Sequence, residues 1–359
     1  MMLAIEPIPS GETTYNLGPN VTGTLYDDGK LVITGSGAMY NYDSSNTSPF
    51  LGNDTITSVI IYDGVTTIGN HAFYGCSALT SIAIQSLVKT IGNYAFYGCS
   101  ALTSVTIPPT VSSIGDYAFS QCTNLTTAII TNTVTTIGNY AFYGCTALTS
   151  VAIPPSVTTI GNYAFSSCSA LTSIVIPSSV MKIGSYAFSS CSALTSVTIR
   201  PSVNNIGEGA FQYCSSLTSI TLPASVMHIG YFAFSACSKL TSIEIHKSNP
   251  NYSSEDGVLF DKNKSILIQY PIGNTRTSYT IPSSVTYIRY CGFEGCTYLT
   301  SVTVPESVKA IEGKAFFGCA NLTSTIFDNY FKPERIEMKA FEGCTSLTTV
   351  TIPDTVKNI

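Results

Sequence analysis

Apolar residues recur along this chain at a fixed step of 23 residues. One unit reads Leu79, Ile82, Ile84, Val88, Ile91, Gly92, Ala95, Phe96 and Cys99, and the next begins at Leu102. The two halves of a unit differ in pattern. Leu102-Thr-Ser-Val-Thr-Ile-Pro108 alternates like a short strand, with Leu102, Val105 and Ile107 inward, Ser104 and Thr106 outward, and a proline to end it. Ile114-Gly115-x-x-Ala118-Phe119-x-x-Cys122-x-x-Leu125 spaces apolar groups three or four apart, which predicts a short helix or 3₁₀ turn. Such a unit buries its apolar side only against its neighbours, so the array as a whole is the folding unit.

Strand columns are predicted to start at Ile56, Leu79, Leu102, Leu125, Leu148, Leu171, Leu194, Leu217, Leu240, Arg276, Leu299, Leu322 and Leu347. The expected architecture is a curved α+β repeat solenoid, with a parallel concave sheet roughly 60 Å long at about 4.8 Å per strand and short helical or 3₁₀ convex segments. Two steps break the rhythm. The step of 36 from Leu240 to Arg276 holds Gly257-Val-Leu-Phe260, a polar turn over Asp261 to Lys264, and Ser265-Ile-Leu-Ile-Gln-Tyr270, an inserted β-hairpin within a unit spanning 247–280. The step of 25 from Leu322 to Leu347 adds residues in the charged stretch Asp328 to Arg335, expected as a protruding loop. Before the first column, Gly23 to Tyr26 and Leu31 to Thr34 flank Asp28-Gly29, a hairpin that would cap the array. The expected division is therefore a cap over 1–55 and a solenoid over 56–359. Met1 to Ser10 lacks the charged start and apolar run of a signal peptide, and the last unit, ending Ile352, Val356 and Ile359, stops half-built. The natural protein is expected to extend further.

Composition narrows the function. Charged residues are only 10% of the chain, against about a quarter in an average domain, so the surface is largely hydroxyl. Between Thr90 and Ile199 the only charged side chains are Asp116 and Lys182, which leaves no basic stripe for nucleic acid. No run approaches the roughly 20 apolar residues of a membrane span.

The pattern Ile-Gly-x-x-Ala-Phe-x-x-Cys-x-x-Leu-Thr-Ser-x-x-Ile-Pro closely resembles the BspA-type leucine-rich-repeat proteins. The resemblance extends over nearly the whole chain. It includes Thr22 to Gly37 at the start and Asn249-Pro-Asn-Tyr-Ser-Ser-Glu-Asp-Gly-Val-Leu-Phe260 at the interruption. It implies a secreted or surface-displayed protein of anaerobic bacteria or parasitic protists, associated with adherence to host cells, other microbes and matrix proteins such as fibronectin and fibrinogen. It brings no catalytic motif.

Candidate chemistry is sparse. Eleven of the twelve cysteines share one column without Cys-x-x-Cys spacing, so they read as buried reduced thiols rather than bridges or metal ligands. Cys291, five residues before Cys296, is poorly placed to bridge it. His71, His228 and His246 are scattered over several units and form no metal set or triad. Asp261-Lys-Asn-Lys-Ser265 lacks the glycine and terminal glutamate of a calcium loop. No cofactor, metal or catalytic residue is expected, and the chain reads as a non-enzyme. Seven Asn-x-Ser/Thr sequons, from Asn20 to Asn321, matter only in a eukaryotic secretory pathway.

Binding candidates are the outward strand positions, fixed by the scaffold yet free in identity. Most carry Ser, Thr or Pro. Arg200, Glu244 and His246 form the one polar departure on this face, with Thr198 and Thr221 as neighbouring candidates, and solvated residues beside the hairpin are the favoured reading of them. The aromatic column of Tyr94, Tyr117 and Tyr140 is a rival site, or a set of packing spacers. The expected partner is a host extracellular-matrix or cell-surface protein of the fibronectin or fibrinogen type. A glycan is the alternative.

Overall fold

The structure is a computed structural model that describes residues 11–85, 87–327, 332–350, 354 and 356. Met1 to Ser10, Asp328 to Phe331 of the expected loop, and Ile352 and Ile359 of the last unit lie outside the described residues, so the thirteenth strand column at Leu347 is left open. The chain forms two compact units, 1–157 and 158–359.

The first unit opens with a meander of β1 (Glu12–Gly18), β2 (Val21–Tyr26) and β3 (Lys30–Gly35), each antiparallel to the last. Strand β3 then pairs in parallel with Ser58–Ile61, which pairs with Ser81–Ile84. Coil follows coil at the sequence step of 23: Thr127 of Thr127–Ile129 lies opposite Ser104 on one side and Ser150 on the other. Outward and inward positions fall as the alternation predicts, with Val105 and Ile107 buried and Ser104 and Thr106 exposed.

Each coil also carries a second, shorter strand that the period missed. Thr90–Ile91, Ser113–Ile114 and Thr136–Ile137 form a parallel ladder of two-residue strands. In the second unit Thr159–Ile160, Lys182–Ile183, Asn205–Ile206 and His228–Ile229 do the same. There the longer strands run from Ser173–Ile176 to Ser242–Ile245, then from Ser278–Thr280 to Ser324–Phe327.

The expected convex helices are absent: among the described residues there is no helix. The backbone shows why. Tyr94 has φ +56° and Gly98 φ +69°, and this left-handed pair recurs four residues apart in the following coils, as Tyr117 with Gln121 and Tyr186 with Ser190. An α-helix tolerates neither. The segment is a chain of β-turns in which Ala95, Tyr97 and Cys99 donate to carbonyls three residues back, while Tyr94, Phe96 and Gly98 donate to Asp116, Ala118 and Ser120 of the next coil at 2.8–2.9 Å. The neighbouring coil outcompetes the helix for these amides. Spacings of three and four fit such turns as well as they fit a helix.

The inserted hairpin is present and larger than expected. Val258–Asp261 pairs antiparallel with Ile266–Gln269, and a further strand, Tyr252–Glu255, pairs with its other edge. Asp256 and Gly257, at φ +52° and +80°, make the two-residue turn between them. An Asp-Gly dipeptide is the residue pair that such a turn selects. Asp261 spends its carboxylate on Ser265 and the Ile266 amide, so the calcium-like stretch is a turn.

The core consists of columns. Phe50, Phe73, Phe96, Phe119 and Phe142 stack at 5.1–5.9 Å in the first unit. Tyr270, Phe293, Phe316 and Phe341 stack at 4.8–5.2 Å after the hairpin. The cysteines are buried free thiols. Cys99 donates its S–H to the Phe73 carbonyl and Cys122 to that of Phe96, each 3.3 Å away. Burial pushes the Cys191 and Cys237 thiols up to about 12. Hydroxyls are bound between coils too: Thr80, Thr103 and Thr126 each donate to the threonine carbonyl one coil earlier. A chain with so few charges therefore satisfies much of its polar surface by stacking like on like.

Candidate functional site

Thr198, Thr221 and Glu244 stand exposed on the strands Ser196–Ile199, Ser219–Leu222 and Ser242–Ile245, with Thr221 directly opposite Glu244. Alternation puts all three side chains on the solvent face. Thr198, Thr221 and His246 come together with Pro201 and Pro223 around an open cleft of about 440 Å³. Arg200 and Glu244 do not line it. Glu244 is held toward the hairpin, accepting hydrogen bonds from the Ser242 and Ser254 hydroxyls. His246 Nδ1 accepts from the Ser248 amide at 3.3 Å, which ties the ring to its own turn. The five residues chosen from sequence thus divide into three that share a cleft and two that do not.

Tyr94, Tyr117 and Tyr140 form the column expected of them. His71 lies 4.7 Å from Tyr94, Tyr94 lies 4.5 Å from Tyr117, and Tyr117 lies 4.4 Å from Tyr140, with planes within 14°. At those distances ring faces cover one another and only edges and hydroxyls reach solvent. Burial, then the neighbouring Tyr94, raises the Tyr117 hydroxyl above its usual range. Asparagines beside the column bind coil to coil: Asn70 Oδ1 accepts from the Asn93 amide and Asn93 Oδ1 from the Asp116 amide, both at 2.8 Å. Where the columns begin, His71 and Tyr74 line a cleft of about 360 Å³ with Asp43, Thr47 and Leu51. Burial lowers the pKa of His71, and Asp43 partly offsets this.

Sequence reasoning missed a second surface on the same row. In the second unit Tyr163 and Tyr186 still hold the tyrosine position, but Gly209, Phe232, Cys291, Lys314 and Lys339 then take it in turn, and the glycine of Ile-Gly becomes Arg289, Glu312 and Glu337 after the hairpin. That glycine is required elsewhere because coils touch: a Cβ on Gly115 would lie 2.7 Å from the Gly92 carbonyl carbon. After the hairpin the side chains themselves bridge coils, Glu312 Oε2 accepting from the Tyr290 amide at 2.8 Å and Glu337 Oε2 from Gly313 at 2.9 Å. Around them opens a cleft of about 430 Å³ lined by Glu208, Tyr231, Phe232, Tyr290, Glu312 and Glu337. The signal lay in the loss of glycine and tyrosine at fixed repeat positions. Among the described residues no group of three or more His, Cys, Asp or Glu is arranged to hold a metal ion, and no helix is long and apolar enough to cross a membrane.

Parallel strands stacked at a repeat step, with leucines and a phenylalanine column inside, define a leucine-rich-repeat solenoid. No curated protein matches the chain. Among solved structures it is similar to a leucine rich cell surface protein of Faecalibacterium prausnitzii, with 27% identity over 98% of this chain and 86% of that one, at a TM-score of 0.58. A leucine-rich repeat protein of Bacteroides ovatus shares the fold, with 22% identity over 99% of both chains and a TM-score of 0.50. The sequence matches the family described as BspA type Leucine rich repeat region (6 copies) over residues 45–172, 135–265 and 273–359, and the chain belongs to that family.

Proposed function

We propose that this chain is a non-enzymatic surface or secreted protein that adheres to a host or microbial macromolecule, with a matrix protein of the fibronectin or fibrinogen type as its partner. The observation that carries this reading is the open cleft that Thr198, Thr221 and His246 share on the exposed face of the strands. Strand side chains held by a stacked backbone lose little freedom on binding. Membership of the family and the cell-surface description of the Faecalibacterium protein support display outside the cell. Unbridged thiols suit an anaerobic habitat. In this reading residues 1–55 shield the first coil of a solenoid that begins at 56. The test is binding of the purified chain to immobilised fibronectin and fibrinogen, with Thr198→Arg and Thr221→Arg blocking the cleft. Retention of wild type and its loss in the variants is expected; no retention of either matrix protein by wild type removes the reading.

A second reading, carbohydrate binding, has one observation in its favour. The open end of the aromatic columns, at His71 and Tyr74, meets Asp43 and Thr47 in one cleft. A sugar offers an apolar face to a ring and hydroxyls to such groups. Glycan-array screening separates the two, and silence on the array removes this one.

A further inference from the structure

We propose that the cleft among Glu208, Tyr231, Phe232, Tyr290, Glu312 and Glu337 receives a cationic side chain, a lysine or arginine, from a partner protein. This rests on the protein-binding reading above and adds a second contact site with its own chemistry.

The cleft exists because the tyrosine column ends. At Gly209 a Cβ would sit 2.3 Å from the Tyr186 ring, so that ring lies over the glycine and no ring follows it in the stack. The Tyr186 hydroxyl donates to Glu208 Oε1 at 2.8 Å and fixes that carboxylate at the edge of the opening. Beyond it the rings no longer stack. Tyr231 and Tyr290 meet at 85° and Phe232 and Tyr290 at 89°, so these rings pack edge to face and do not cover one another as the parallel rings of the regular column do. A ring face is the electron-rich side of an aromatic, and it attracts a cation. The fold already uses that attraction on the same rings: the Arg289 guanidinium lies 4.3 Å from the Tyr231 centroid.

The carboxylates supply the rest. Glu208 and Glu312 each commit one oxygen to a structural hydrogen bond, which leaves Glu208 Oε2 and Glu312 Oε1 without a donor among the described residues. The nearby cations leave these two oxygens alone: Arg289 lies over Tyr231, Arg335 pairs with Glu337 at 3.0 Å, Lys339 pairs with Glu342 at 3.3 Å, and Lys314 lies over the Phe317 ring. In a chain where only 10% of residues are charged, Glu208 and Glu312 line one aromatic opening with no cation paired to either among the described residues, and they favour a positive group there, whereas Glu337 is already paired with Arg335. About 430 Å³ is ample for one such side chain, within the usual range of ligand clefts.

The test uses the whole chain with methyl-¹³C methionine. Met338 lines the adjoining cleft that shares Tyr290 and Glu337 with this one, and exposed Met181 serves as the remote reference. N-acetyl-arginine amide is titrated against N-acetyl-citrulline amide, its neutral isostere. Movement of the Met338 resonance by arginine but not citrulline is expected, weakened by added salt. Glu208→Gln and Glu312→Gln keep an acceptor for the Tyr186 hydroxyl and the Tyr290 amide, and each should weaken the arginine effect by about tenfold. Equal movement by citrulline, no movement by arginine, or an unchanged effect in both variants overturns the proposal. The double variant is then tested on the same matrix proteins. Undiminished retention shows that binding stands without this cleft, whereas loss of retention places the cleft in the contact. Failure of wild type to bind any matrix protein removes the broader reading and leaves the cleft to the titration.

Discussion

Ser190→Gly and Gly98→Ala put the turn architecture of the convex segments to a test of sign. Both positions hold the second left-handed residue of their coil, Ser190 at φ +61° and Gly98 at φ +69°. For a residue with a Cβ that conformation costs roughly 1–2 kcal/mol. Glycine escapes it but gives back about 0.4–1 kcal/mol through the greater freedom of its unfolded chain. Ser190→Gly should therefore stabilise by about 0.5–1 kcal/mol, since its amide bond to the Gln212 carbonyl at 2.7 Å is untouched. Gly98→Ala should destabilise by a similar amount. Its new Cβ would lie 3.7 Å from the nearest atom, the Gly75 Cα, so no clash confuses the result. A helix would give the opposite signs, because in a helix interior alanine is about 1 kcal/mol better than glycine and serine about 0.5 kcal/mol better. Urea denaturation followed by circular dichroism reads both changes, and amide hydrogen exchange at the mutated coil guards against a solenoid that unfolds in stages. A stabilised Gly98→Ala together with a destabilised Ser190→Gly would refute the left-handed turns.

Three other outcomes follow from the columns. Phe142→Ala empties a fully buried place in the phenylalanine stack, 5.4 Å from Phe119, and should cost about 3–5 kcal/mol in the same urea experiment. Asn93→Ala removes the acceptor of the Asp116 amide and should cost about 1–2 kcal/mol, with faster exchange of that amide as the local signature. The buried thiols set the alkaline limit of stability. Burial holds Cys191 and Cys237 up to about 12 in the folded chain, so the folded state keeps protons that the unfolded state loses above about 8.5. That contribution is whole below about pH 8.5 and falls by about 1.4 kcal/mol per pH unit per thiol as pH climbs toward 12. Urea midpoints at pH 8 and 10 measure it, and a Cys191→Ala, Cys237→Ala variant should lose less on going to pH 10 than wild type does.

The repeat, the cap hairpin and the insertion were legible because they depend on apolar spacing and on turn dipeptides, which a single sequence displays. Leu102, Val105 and Ile107 announce an inward strand edge whatever their neighbours are. The convex segment was not legible in the same way. Its apolar spacing is shared by turns and helices, and the left-handed residues are Tyr94, Gln121, Ser190 and Ala236 as often as glycine, so residue type hides the backbone sign. What decides the conformation is the carbonyl of the next coil, an acceptor 22 residues away that no local propensity contains. Asp256-Gly257 is a different failure, a turn signal present in the chain whose glycine was read as the start of a strand.

The same distinction governs the sites. Thr198, Thr221 and His246 share a cleft because strand alternation, which the sequence displays, sets them on one face. Arg200 and Glu244 are outward positions too, but alternation does not say where a long side chain then turns, and Glu244 turns to the Ser242 and Ser254 hydroxyls. The cleft round Glu208, Tyr231 and Tyr290 depends on something that one unit read alone does not contain, the exchange of glycine and tyrosine for other residues at fixed repeat positions. In an array whose coils bind one another through identical residues, each exchange removes a contact that the neighbouring coils had shared. The surface chemistry freed by that loss gathers where exchanges fall in consecutive coils, and around residues 208–339 they fall in five.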